Sequence, residues 1–109
     1  MKRILVAAVL LPVSLSVHAG VDAKKALSVL VRNDCLSCHA ITSKVVGPAY
    51  RDVARKYQGD HRAAARLVQK VRNGGSGVWG QILMPPHPDV PMEDLVTVID
   101  WILAGAAFD

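Results

Sequence analysis

The chain has 109 residues, 13 basic against 9 acidic side chains for a formal charge of +4, and two cysteines. That length suits one domain, near the size at which a core alone gives marginal stability. The basic residues are not interleaved with aromatics and no readout motif is present, which excludes nucleic acid as a partner.

Lys2 and Arg3 open the chain, and Ile4 to Val13 is almost entirely apolar. Val17-His18-Ala19 then offers small residues at cleavage spacing. This is the pattern of a secretory signal, with a core too short to span a bilayer. The competing reading is an uncleaved N-terminal anchor. Cleavage is expected after Ala19, leaving residues 20–109 as the mature domain. Charge is uneven within it: residues 20–72 hold 11 basic groups and 4 acids, whereas 73–109 hold 5 acids and no Lys or Arg. Such asymmetry orients a molecule toward a partner, although ordinary solvated helix faces produce it as well.

Asp22 is placed to cap a first helix whose apolar face is Ala23, Ala26, Leu27, Leu30 and Val31, ending just before Cys35. Cys35-Leu36-Ser37-Cys38-His39 follows. Two cysteines separated by two residues, with histidine next, read as the covalent attachment site of a c-type haem. Each thiol adds to a vinyl group, the spacing sets both sulfurs along one porphyrin edge, and the next residue puts an imidazole under the iron. Two other readings compete. A disulfide or thioredoxin-like dithiol expects a strand–helix–strand setting. A zinc site would need His61 or His87 as its fourth ligand. No strand pattern surrounds the motif, and the spacing suits zinc poorly.

Residues 40–48 read as a loop closed by Gly47-Pro48, and a short helix follows from Tyr50 to Tyr57. Gly59 breaks it and Asp60 is expected to cap the next. There Ala64, Leu67, Val68 and Val71 recur at helical spacing, with Arg62, Arg66 and Lys70 available for solvent. Asn73-Gly74-Gly75-Ser76-Gly77 stops that helix and is too irregular for a phosphate loop. Residues 78–91 hold four prolines and no helical period. The last helix is expected near Pro91, with Glu93 and Asp94 where the helix dipole favours negative charge. Leu95, Ile99, Ile102 and Leu103 form its apolar face and Trp101 adds bulk. The pattern is helical throughout.

His39 is the proximal ligand on this reading. Candidates for the other axial position are Met84, Met92, His61 and His87. Met92 falls in a helix turn and His61 at an exposed, charged helix start. Met84 precedes Pro85-Pro86, which disfavour helix before them and stiffen the segment, so Met84 is the choice. Methionine/histidine ligation favours reduced iron. With both axial positions filled, oxygen chemistry has no open site and electron transfer is favoured. The alternative is an enzyme or gas sensor with one position open.

Residues 27–103 resemble the short bacterial class I cytochromes c of the c-551/c-552 type. The resemblance is carried by Cys-x-x-Cys-His, Val46-Gly47-Pro48-Ala49-Tyr50, Lys70 through Trp79 with Asn73-Gly74, Gly77-Val78-Trp79-Gly80, and Met84-Pro85-Pro86. It implies an all-α fold of about four to five short helices around one haem c bound through Cys35 and Cys38, in an electron-transfer protein and not an enzyme. It implies that the Pro48 carbonyl accepts from the imidazole of His39, that the Trp79 indole meets a haem propionate, and that Lys70 lies near a propionate. Leu30 and Trp101 match the crossing of the first and last helices. One position departs: an asparagine whose amide can donate to the methionine sulfur is replaced by His87. Relatives of this type dock transiently with redox partners in the periplasm. They carry electrons from a membrane quinol-oxidising complex to a reductase, such as nitrite reductase, or to a terminal oxidase. A monomer with no stable membrane insertion is expected. Val45, Val46, Met84, Pro85 and Pro86 are candidates for an apolar contact surface, and Lys24, Lys25, Arg51, Arg55 and Lys56 for a basic one.

Overall fold

The computed structural model describes residues 1–14 and 20–108. Residues 1–14 are exposed and carry no regular structure, and the expected cleavage point at Ala19 lies outside the described residues. Among the described residues no helix is long and apolar enough to cross a membrane.

Helix α1 spans Ala23–Arg32, and the Asp22 carboxylate accepts the Lys25 amide at 2.9 Å, as a capping aspartate should. Its buried residues are Ala26, Val29 and Leu30, while Leu27 and Val31 are 40% and 61% exposed. The expected face is therefore rotated. Ala26 and Leu30 belong to both the expected and the observed face, and Val29 is buried in place of Leu27 and Val31, so periodicity alone fits either. The neighbouring helices choose the second. A single 3-10 turn, Cys35–Ser37, carries the first half of the cysteine motif.

Helix α2 spans Tyr50–Lys56 and helix α3 spans Ala63–Asn73. Helix α3 begins later than expected. Arg62, not Asp60, stands at its N-cap, and Asp60 instead closes the preceding turn, taking the Arg62 amide on its side chain at 2.9 Å. Ala63 and Val68 are buried on α3, with Ala64, Leu67 and Val71 half-buried against the core. Lys70, expected in solvent, is also half-buried.

A two-stranded antiparallel hairpin follows where the sequence pattern offers only helix and irregular chain. Strand β1 is Gly75–Gly77 and strand β2 is Gly80–Met84, paired Gly75 to Met84 and Gly77 to Gly80 with an irregular register between. Three of its glycines, Gly75, Gly77 and Gly80, have φ of 143°, 111° and 118°, open to residues without a Cβ. A glycine-rich strand lacks the branched, alternating side chains that announce a strand.

Helix α4 spans Met92–Leu103, with Pro91 just outside it at the N-cap and Glu93 and Asp94 in the first turn. It packs against α1, α2 and α3 and buries Leu95, Val98, Ile99, Trp101 and Ile102. Leu30 and Trp101, each 1% exposed, lie in the core between the first and last helices. Lys25–Glu93 at 2.7 Å and Arg32–Asp94 at 3.3 Å also tie α1 to α4. These pairs are largely exposed and worth little beside the apolar contact.

Candidate haem-binding site

The helices and the hairpin enclose a cleft of about 300 Å³, within the range of small-molecule and cofactor sites. Cys35, Cys38, His39, Pro48, Lys70, Trp79 and Met84 all border it, so the chain brings every expected site residue to one place. Of the other candidate axial ligands, His87 also borders the cleft. His61 lies exposed in the turn before α3, and Met92 lines a separate groove with Ala64 and Val96.

The motif is locked onto the loop that follows it. Cys38 O accepts the amides of Val46 and Gly47 at 3.1 and 2.8 Å, and Ala40 O accepts that of Tyr50 at 2.9 Å. The loop therefore returns beneath His39. Pro48 O lies 2.8 Å from Nδ1 of His39. A carbonyl only accepts, so this contact puts the proton on Nδ1 and leaves the Nε2 lone pair free for a metal. Gly47 has no room for a side chain: a Cβ there would stand 2.5 Å from Cε1 of His39. Tyr50 stacks on the imidazole, ring centroids 5.0 Å apart and planes 18° from parallel.

Met84 is held by backbone. It ends β2, and Gly74, with φ 69°, meets it so closely that a Cβ would lie 2.5 Å from Met84 O and 2.8 Å from Pro86 N. The amide of His87 donates to Val71 O at 3.0 Å and Arg72 O at 3.2 Å, fixing the segment after the prolines to the end of α3. Nδ1 of His87 is buried with no hydrogen-bond partner among the described residues. Trp79 sits at the hairpin turn, 40% exposed, with Lys56 Nζ 5.5 Å from the centre of its ring. The Lys70 ammonium lies over the bare backbone of Gly75, 2.8 Å from where a Cβ would be.

Burial, with the charge of Asp34 adding to it, pushes the Cys35 thiol above its ordinary value. A reactive redox dithiol has a lowered thiol pKa, so the cleft does not favour that alternative. Burial first, and then the nearby Cys35 and Cys38 thiols, push the Tyr50 phenol up, so it stays neutral. The donor set fits a haem. Two thiols at the motif spacing, a free imidazole nitrogen, a thioether on a second element and a lysine ammonium border one largely apolar cleft.

Residues 24–105 match the family model Cytochrome c. The chain belongs to the cytochrome c family. It is 50% identical over 72 residues to cytochrome c-551 of Allochromatium vinosum, covering 66% of this chain and 77% of that one. The crystal structure of Nitrosomonas europaea cytochrome c552 superposes with a TM-score of 0.70 at 44% identity, covering 72% of this chain and 98% of that one. The class 1 cytochrome MtoD of Sideroxydans lithotrophicus gives 0.71 at 28% identity, covering 81% and 100%.

The cytochrome is thus an electron carrier and not an enzyme, and its cofactor is a covalently attached haem c. Its fold is the class I cytochrome c fold, with four α-helices among the described residues and the small antiparallel hairpin added. Two contacts in the cytochrome's cleft follow from tertiary structure, although Gly47 and Tyr50 both stand in the segment that carries the family resemblance. The contact of Gly47 with the imidazole depends on the path of the returning loop. The stack of Tyr50 on His39 depends on where α2 starts; the tyrosine stands in the segment 46–50 that carries the resemblance, but nothing local to it indicates a contact with the imidazole.

Proposed function

We propose that this cytochrome is a periplasmic carrier whose haem iron is held by Nε2 of His39 and the thioether of Met84. The observation that carries this reading is the 2.8 Å contact between His39 Nδ1 and Pro48 O, which leaves Nε2 as the free nitrogen. The haem supplies one-electron exchange between ferric and ferrous iron. The residues around it hold, orient and shield. Cys35 and Cys38 anchor the ring through thioethers. Pro48 fixes the imidazole and raises its basicity. The Met84-Pro85-Pro86 segment presents sulfur from a stiff backbone, and the Lys70 ammonium and Trp79 indole, which border the cleft, would pair with the haem propionates.

Export is supported by Lys2-Arg3 and the apolar run from Ile4, with residues 1–19 removed and 20–109 retained. Docking is transient. Val45 and Val46 are 53% and 43% exposed beside the cleft, with Pro85 and Pro86 also exposed. A small apolar rim of this kind suits weak redox encounters. The partners are a quinol-oxidising complex on one side and a reductase, such as nitrite reductase, or an oxidase on the other.

A redox titration of the mature protein, followed by its absorption spectrum, tests this directly. The expected result is a single one-electron wave with low-spin spectra in both states and a Soret band that survives denaturation and extraction. A high-spin resting state, or rapid carbon monoxide binding when reduced, would overturn the axial assignment. N-terminal sequencing of exported protein should start at Gly20.

A further inference from the structure

An aromatic series runs from the imidazole of His39 through Tyr50 and Trp101 to Phe108. Tyr50, 5% exposed, lies face-on to His39 at 5.0 Å. Trp101, 1% exposed, meets Tyr50 edge-on at 5.7 Å and 73°. Phe108 covers Trp101 at 5.1 Å. The turn after α4 is built to keep this order. Ala106, wholly buried, adopts φ 54°, a conformation unusual for a residue with a Cβ. That bend brings Ala107 O within 2.8 Å of Trp101 Nε1, which donates to it, while the Ala106 amide donates to Trp101 O at 3.0 Å.

We propose that Tyr50 is a positioning residue for the proximal histidine, and that the segment Gly105–Phe108 holds Tyr50 in place through Trp101. This rests on the assignment of His39 as an iron ligand. The hydrogen bond to Pro48 pins one ring atom and leaves the imidazole free to rock about the direction of that bond. Gly47 blocks motion at the Cε1 edge. A ring lying flat against the imidazole face removes the remaining freedom. Tyr50 can do this only if it is itself fixed, and the edge of Trp101 fixes it. Trp101 in turn is anchored by a hydrogen bond to residues beyond the last helix. The C-terminal residues thereby set the plane of the iron's ligand without touching the cleft.

The test uses the ferric holoprotein and the order and spread of its four haem-methyl proton resonances, which report the direction of the axial ligand planes. Tyr50→Leu should reorder or compress them, and Tyr50→Phe, which keeps the ring, should restore the native pattern. Trp101→Phe, combined with Phe108→Ala, should shift them in the same sense and by less. The same double variant decides the matter if Tyr50→Leu does not fold. Val68→Ala, a buried truncation outside the cleft, should leave the pattern native. An unchanged pattern in Tyr50→Leu would overturn the role of Tyr50, and an unchanged pattern in the double variant would overturn that of the C-terminal segment. A change in Val68→Ala equal to that in Tyr50→Leu would reduce the effect to general destabilisation and also overturn the proposal. A wild-type spectrum without an upfield methionine methyl signal would instead point to failure of the axial assignment.

Discussion

Gly47 and His39 are in contact so close that a Cβ on the glycine would stand 2.5 Å from Cε1 of the imidazole and 2.9 Å from Nδ1. The backbone of Gly47 is not in the left-handed region, so a substitution there is opposed by packing alone. Gly47→Ala should displace the imidazole and strain its bond to Pro48 O. The expected loss of stability is about 1–3 kcal/mol, typical of overpacking, read from denaturant melts of the holoprotein. Altered ferric spectra should accompany it. A variant with native stability and native spectra would show that the loop yields without disturbing the ligand.

Met84→Ala removes the thioether and leaves an axial position for water or a small ligand. The potential should fall by roughly 0.1–0.3 V, a part of the ~0.8 V range that axial ligands span. Reduced protein should then bind carbon monoxide rapidly. Unchanged ligation in this variant would exclude Met84, and the imidazole of His87, which also borders the cleft, would become the first alternative to examine.

Leu30 is 1% exposed, packs in the core with α4 residues and borders the cleft. Leu30→Ala should cost about 2–5 kcal/mol, the transfer and cavity terms together. Val31→Ala on the same helix should cost far less, because Val31 is 61% exposed. Chemical denaturation of the two variants side by side checks the observed face of α1 against the one rotated from it.

Asp60 accepts the Arg62 amide first and pairs with Arg66 second, and both hold its carboxyl below the ordinary value of 3.8. Its folded pKa lies below its unfolded one. The stabilisation is therefore complete above 3.8 and is lost as pH falls through the folded value. Asp60→Asn keeps an acceptor for Arg62 and loses the charge. Its urea midpoint should lie below that of the native protein near neutral pH, and the gap should close in strong acid. A gap independent of pH would assign the effect to the turn and not to the charge.

Everything set by neighbours along the chain could be read from the order of residues. The two cysteines and His39 lie within five consecutive positions, so local geometry alone keeps their side chains within reach of one haem. Asp22, Pro91 and Gly59 mark helix boundaries for equally local reasons, and the prolines after Met84 stiffen the backbone that bears the sulfur. Asp60 misled because a capping side chain serves a turn as readily as a helix.

What depended on distant partners was decided only in three dimensions. Leu30 fits two apolar stripes, and the packing of α4 selects the one that includes Val29 over the one that includes Val31. The hairpin exists because Gly75 and Gly77 find partners on β2, and glycines carry no side-chain pattern that could foretell it. The chain composition and spacing thus chose the cofactor and its attachment, which need only adjacent atoms. The plane of the imidazole, the seat of Met84 against Gly74 and the backing of Tyr50 by Trp101 required segments far apart in sequence to exclude water from the same small volume.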